Sequence, residues 1–337
     1  MIDEAAAWDH LDALAKPRRS LGKLEALAVR LACIQRRLDP VTRPRRIVLF
    51  AADHGVVAQG VSAWPSDVTG LMVATIAMGR AASNALAAAH GCDLRLVDMG
   101  VASPPGGAMP DHFRDASLGK GSADLATGPA LTLEQFDAAW DVGAEEAERA
   151  VQAGVAVLIA GEMGIGNTTP AACLTALLAD VATETAVGPG AGADAEVQAI
   201  KQRVVREAVA RARSEADPRA AIASLAGFEI AAMAGYFAAG AAAGATLLLD
   251  GYVATAAALI AERLAPGTAR AMIAAHRSAE PGHGAALAHL KLEPLLDWEM
   301  RLGEGTGALV ALPLLDSAAA ILCDVASLAD LGVGRAD

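Results

Sequence analysis

The sequence predicts an α/β chain: a parallel sheet flanked by helices, Rossmann-like, with a small helical subdomain formed by the N- and C-terminal segments. Three observations predict it. Short aliphatic runs end in Gly or Asp, longer Ala-rich stretches of helical length separate those runs, and both ends of the chain are helical in pattern without them. An aliphatic run too short for a helix and without polar alternation has the composition of a strand buried on both faces. Strand, helix and strand in repetition imply parallel pairing with helices on either side of the sheet.

Taken in chain order, the first 40 residues are helical and charged on one side (HLDALAKPRRSLGKLEALAVRLACIQRRL). The runs 47–52 (IVLFAA), 94–97 (LRLV), 155–160 (VAVLIA) and 246–249 (TLLL) are strands. Helices fall at about 65–90, 132–153, 170–180, 195–213, 227–240 and 252–265. The glycine-rich segment 100–128 is a long loop, and 309–331 returns to a helical pattern that can pack on the N-terminal helices. The division expected is therefore 1–40 plus 309–337 as the helical subdomain and 41–308 as the α/β catalytic domain. No solenoid repeat is visible.

Composition narrows the function. With 54% hydrophobic and 20% charged residues in 337, the chain has ample core material, and 27 basic against 39 acidic residues leave a net charge of −12. Such a surface repels phosphate backbones and anionic lipid, so neither nucleic acid nor membrane is an expected partner, although a local positive pocket can still take a small anion. Cys33, Cys92, Cys173 and Cys323 are far apart and read as core thiols of a reducing, cytoplasmic compartment. The acidic N-terminus has no basic-then-apolar signal. The uncharged stretch 230–249 is mostly Ala and Gly and reads as helix, glycine turn and strand.

In open parallel sheets ligands bind beyond the carboxyl ends of the strands, which directs attention to the residues after each run. They are Asp53-His54-Gly55, then Gly161-Glu162-Met163-Gly164-Ile165-Gly166-Asn167-Thr168-Thr169-Pro170, then Asp250-Gly251. In the 161–170 turn, Gly164 and Gly166 let the backbone approach a ligand. Thr168 or Thr169 can cap the next helix, leaving amides and the positive end of the dipole for a phosphate. No G-K-[ST] follows, so it is not a Walker loop. A second turn, Gly188-Pro189-Gly190-Ala191-Gly192, precedes a helix carrying Lys201.

Arg301-Leu302-Gly303-Glu304-Gly305-Thr306-Gly307-Ala308 sets one carboxylate among glycines and apolar residues. Such surroundings raise a carboxyl pKa by desolvation and suit a general base, so Glu304 is the first catalytic candidate; a Glu offsetting a helix dipole would read the same way. The cluster His276, Arg277, Ser278, Glu280, His283 is polar but poorly spaced for a metal. A metal hydrolase using Asp53, His54, His276 and His283 is one alternative, and a catalytically silent ligand-binding or assembly protein is another.

Together these motifs resemble the nicotinate-nucleotide:dimethylbenzimidazole phosphoribosyltransferase family, from about residue 10 to 331. The likeness is carried by KPRRSLGKLEAL, AADHGVVAQGVSAWPSDVT, GRAASNALA, VDMGV, GEMGIGNTTPAA, VGPGAGAD with Lys201, GFEIAAMAG, LLLDGYVATAAAL, HRSAEPGH and EMRLGEGTGALVALPLL. The resemblance implies transfer of the 5-phosphoribosyl group of nicotinate mononucleotide to dimethylbenzimidazole or a related base. The products are alpha-ribazole 5'-phosphate and nicotinate, for the nucleotide loop of cobalamin. It implies Glu304 as the base, and Glu162, Gly164, Gly166, Asn167, Thr168, Gly190 and Lys201 around the phosphoribosyl group. Asp250 and Gly251 face the site, and Ser62, Trp64 and Met72 lie along the aromatic base. It implies no cofactor and no metal, small-molecule substrates as partners, and a homodimer. Two departures stand out: Arg19 occupies a position where the family usually has Gly, and Asp124-Leu125-Ala126 stands where N-I-A is common.

Overall fold

The computed structural model describes residues 2–190, 192 and 194–332. Its strands are β1 (Arg45–Ala52), β2 (Asp93–Gly100), β3 (Phe113–Asp115), β4 (Val157–Met163), β5 (Thr246–Leu249) and β6 (Met272–Ala274). The helices are α1 (Glu4–Asp12), α2 (Lys23–Gln35), α3 (Asp67–Ala77), α4 (Ala82–Ala89), α5 (Leu133–Gln152), α6 (Thr168–Leu178), α7 (Thr183–Ala186), α8 (Ala195–Arg213), α9 (Pro218–Ala223), α10 (Phe228–Ala242), α11 (Tyr252–Leu264), α12 (Gly282–His289) and α13 (Thr306–Asp324).

Among the described residues the strands form one six-stranded sheet in the order β3-β2-β1-β4-β5-β6, every pair parallel. Side chains alternate between two apolar layers, which explains the unbroken aliphatic runs. Ile47, Leu49, Val157, Ile159 and Leu248 pack with α1, α2 and α13. Val48, Phe50, Leu158, Ala160, Leu247 and Leu249 pack with α5, α6, α8, α10 and α11. The strand order reverses between β1 and β4, so a crevice opens beyond their carboxyl ends.

Four expectations need correction. The three-residue β3 and β6 were not expected: both lie at sheet edges and are too short to show any period. Segment 100–128 is accordingly not all loop, since β3 lies in it and Ser122 makes a parallel bridge with His54. The helix expected over 65–90 is two helices, because Gly79 turns the backbone left-handed (φ 74°) and α4 starts afresh at Ala82. The last helix starts at Thr306 and ends at Asp324, so a boundary at 309 falls inside it.

The chain ends meet. Ala15 N–H donates to Ala326 O (2.8 Å), Leu328 N–H to Ala13 O (2.9 Å), and the His10 ring lies 3.1 Å from Leu322 O. Their apolar side chains, Leu11, Leu31, Leu312 and Leu315, belong to the same layer as Ile47 and Leu49 of the sheet. Residues 333–337 lie outside the described residues. Arg19 has φ 60°, a conformation suited to glycine, and is held there by two bonds to Asp12 (2.9 and 3.1 Å) and by stacking 3.6 Å over Trp8.

Two stretches, Asp67–Ala89 and Thr306–Asp324, are long and apolar enough to cross a membrane by length and composition alone. The first is broken into α3 and α4, and the second is α13, whose inner face packs on the sheet layer. The segment 230–249 folds as the body of α10, a left-handed turn at Gly244 and β5.

Candidate active site

A cavity opens at the carboxyl ends of β4, β5 and β6, where strand ends, glycine turns and the segment before α13 converge. Of the residues expected there, Ser62, Glu162, Gly164, Gly166, Asn167, Thr168, Gly190, Lys201, Asp250, Gly251 and Glu304 all line it. Trp64 and Met72 do not. Trp64 is about half exposed on the loop before α3, and Met72 sits on α3 itself.

Glu304 is 4% exposed and lies between Gly303 and Gly305 in a run of left-handed residues, with φ of 85°, 55° and 72° for 303–305. That conformation costs a non-glycine residue roughly 1–2 kcal/mol, so its surroundings must hold it. They do so by close backbone contact. A Cβ on Gly161 of β4 would collide with Gly305 N and the carbonyl carbon of Glu304, and one on Gly303 would strike the Glu162 carboxylate. Burial raises the Glu304 pKa, while hydrogen bonding from Ser83, whose Oγ donates to Oε2 at 3.1 Å, draws it back.

Glu162 is also buried, and burial pushes its carboxyl up to about 8, against the pull of the Asn167 amide that donates to Oε2. At neutral pH it is a neutral acid. Asn167 occupies the N-cap of α6 without making a side-chain cap, because its amide serves Glu162. Thr168 does not cap α6 either, contrary to the sequence reading: it is already the first helical residue, and its Oγ1 accepts from Lys201 Nζ at 2.7 Å. The first turn of α6 therefore has no side-chain cap and opens on the cavity.

Lys201 is 1% exposed, also donates to Gly188 O (3.1 Å), and is brought down by burial to about 8. Gly190 closes on the same corner. A Cβ there would stand 2.8 Å from Thr168 Oγ1 and 3.4 Å from Lys201 Nζ, which only glycine at φ 55° avoids. The second glycine turn thus serves by close approach and not through the N-terminus of α8, which Asp194 caps by accepting from Glu196 N and Val197 N. Ala191 of that turn, and Ala193 just after it, lie outside the described residues.

Asp250 reaches the cavity wall with both carboxylate oxygens already bonded. Oδ2 accepts from Gly305 N (3.0 Å), and Oδ1 accepts from Gly307 N (2.8 Å) and Ala308 N (3.1 Å). Burial would raise its pKa, but His276, with Nε2 3.7 Å away, and the amides of Ala308 and Gly251 carry it below the usual carboxylate range.

His276, Ser278, Glu280 and Arg301 line the cavity too. The first three belong to the cluster weighed above as a weak metal site, and the structure stacks its two histidine rings edge to face, centroids 6.1 Å apart, while giving each its own partner. His283 accepts from Ser278 N at Nδ1 (2.8 Å), so Nε2 carries the proton and donates to Thr255 Oγ1 (2.9 Å), which in turn donates to Gly251 O (2.9 Å). Burial pushes that imidazole down to about 3, keeping it neutral. His54 pairs with Glu229 (2.8 Å), and Asp53 accepts from Ala102 N (2.8 Å). Among the described residues no three His, Cys, Asp or Glu side chains are grouped to hold a metal ion. Ser83 was not singled out: it lies inside the GRAASNALA motif, but an Ala-rich helix gives it no sign of its own role.

A family model described as Phosphoribosyltransferase matches residues 3–333. The nicotinate-nucleotide–dimethylbenzimidazole phosphoribosyltransferase of Mycobacterium marinum is 48% identical to this chain, covering 99% of it and 93% of the relative. The protein of the same name from Mycobacterium tuberculosis is 47% identical, with 98% and 91% covered. A crystal structure of CobT from Thermus thermophilus superposes with a TM-score of 0.93 at 44% identity, over 99% of both chains.

Proposed function

The chain belongs to the nicotinate-nucleotide–dimethylbenzimidazole phosphoribosyltransferase family, and on that premise we propose how its own residues move a phosphoribosyl group from nicotinate mononucleotide to dimethylbenzimidazole or a related base. The single observation that carries the assignment is the pairing of two unlike ends in one cavity. One end has a desolvated carboxylate, Glu304, and the other a cationic corner where Lys201 meets Thr168 and Gly190 at the start of α6.

The phosphate of nicotinate mononucleotide sits on the open first turn of α6 with Lys201 beside it, which orients the anomeric carbon. The pyridinium leaves with the electron pair of its C–N bond and becomes neutral nicotinate ring nitrogen, so no general acid is required. One azole nitrogen of the incoming base forms the new C–N bond from the opposite face, giving the α-ribotide. The proton on its other nitrogen passes to Glu304, whose raised pKa suits it to accept near neutrality. Ser62 lies on the wall where the heterocycle enters, while Glu162, Asn167, Asp250 and Gly251 shape the middle of the cavity.

The same reading has the chain working in the cytoplasm as a homodimer, with α1, α2 and α13 as a helical subdomain beside the catalytic sheet and its flanking helices. Incubation with nicotinate mononucleotide and a panel of benzimidazoles and purines, with products identified by mass, tests the activity. Glu304→Gln is expected to bind both substrates and lose roughly 100- to 10,000-fold in turnover. A variant that makes the ribotide at the parent rate overturns the assignment of the base.

A further inference from the structure

Helix α13 begins with Gly305 at its N-cap and so has no capping side chain of its own. Its cap comes from 55 residues earlier in the chain, at the end of β5. One Asp250 oxygen takes the N–H of the N-cap residue, and the other takes those of the second and third helical residues. A capping box normally divides these donors between two local side chains. Here one carboxylate on the rigid sheet does both, and what it holds is the turn that carries Glu304.

The remaining contacts of the turn point the same way. His276 lies 3.7 Å from Asp250 Oδ1 and covers Gly307, where any Cβ would collide with its ring. Asp250 is 2% exposed, and apart from the adjacent Gly251 amide the three amides it binds belong to residues 305–308. With the Gly251 amide and His276 beside these three, the roughly four acceptor sites of the carboxylate are taken, so a ligand hydroxyl would have to displace a buried donor and leave it unpaired.

We propose that Asp250 is a positioning residue, acting on the reaction through Glu304 by fixing the left-handed 303–305 turn against the sheet, and not a ligand of the substrates. The inference rests on Glu304 being the base. Without the cap, the helix N-terminus and the turn before it lose their anchor, and the Glu304 carboxylate loses its fixed direction, while the phosphate corner at Thr168 and Lys201 keeps its own bonds.

A double-mutant cycle in the direct ribotide assay tests this. Asp250→Asn should lower kcat about tenfold or more and leave KM for nicotinate mononucleotide within about twofold. Adding Asp250→Asn to Glu304→Gln should then cost almost nothing more, because a misdirected base and a missing base are equivalent. Should Asp250→Asn not fold, Asp250→Ser, which keeps one capping oxygen, is expected to behave the same way in the cycle. Losses that multiply in the double variant, or a KM that rises at constant kcat, overturn the role of Asp250 and leave Glu304 in place. Parent-like turnover in Glu304→Gln alone overturns both.

Discussion

Ser83 Oγ donates to Glu304 Oε2 across 3.1 Å, joining the first turn of α4 to the residue before the N-cap of α13, 221 positions along the chain. Ser83 is wholly buried, and its backbone amide also stabilises the carboxylate. The candidate base therefore faces a helix N-terminus, whose partial positive charge favours its ionised form. Burial and this bond oppose one another, which keeps the carboxyl raised yet able to ionise.

Ser83→Ala removes the donor and leaves the desolvation. The Glu304 pKa then rises further, so the acidic limb of kcat against pH moves to higher pH, and turnover falls more at about pH 6 than at about pH 8. A pH–rate profile of the variant beside the parent enzyme checks this, and an unmoved limb would show that Ser83 does not bear on the titrating group.

Lys201→Met keeps the length of the side chain and removes its charge from the corner shared with Thr168 and Gly190. Loss of a charge-assisted bond to phosphate weakens binding by about 1.5–3 kcal/mol, so KM for nicotinate mononucleotide should rise roughly 10- to 100-fold with a smaller change in kcat. Since burial brings this lysine down to about 8, the parent enzyme should also show KM for the nucleotide rising above that pH, and the variant should not.

Glu162 titrates at about 8 in the folded chain against 4.5 for an ordinary glutamate. Between those values the native state keeps a proton that the unfolded chain releases, so this group's contribution to stability is complete below pH 4.5 and is lost as pH rises to 8. Glu162→Gln mimics the neutral acid and escapes the loss. Chemical denaturation should find the variant gaining on the parent by on the order of a few kcal/mol between about pH 5 and pH 9. A gap that stays constant over that range would mean the carboxyl is ionised throughout.

Much of the fold was legible because burial on both faces leaves a simple mark: β1, β4 and β5 are aliphatic runs, and α8 spans 195–213 as its pattern predicts. Edge strands of three residues leave none. The break at Gly79 was hidden in a continuous helical composition, yet it creates the N-terminus of α4 that presents Ser83 to Glu304. His276 and Glu280 were visible only as members of a polar cluster poorly spaced for a metal; their placement showed one beside Asp250 and the other on the cavity wall near Lys201.

By itself the sequence determined the class of fold, the rim of the sheet where chemistry collects, and Glu304 as the residue to watch, since glycines around a lone carboxylate are a local pattern. It could not tell which donors and acceptors pair across distance. That Asn167 serves Glu162 and not its own helix, that Thr168 holds Lys201, and that Asp250 caps a helix far along the chain were decided by the tertiary structure. The physical reason is that a hydrogen bond is a matter of a few ångströms and an angle. Only the folded sheet brings those atoms within reach.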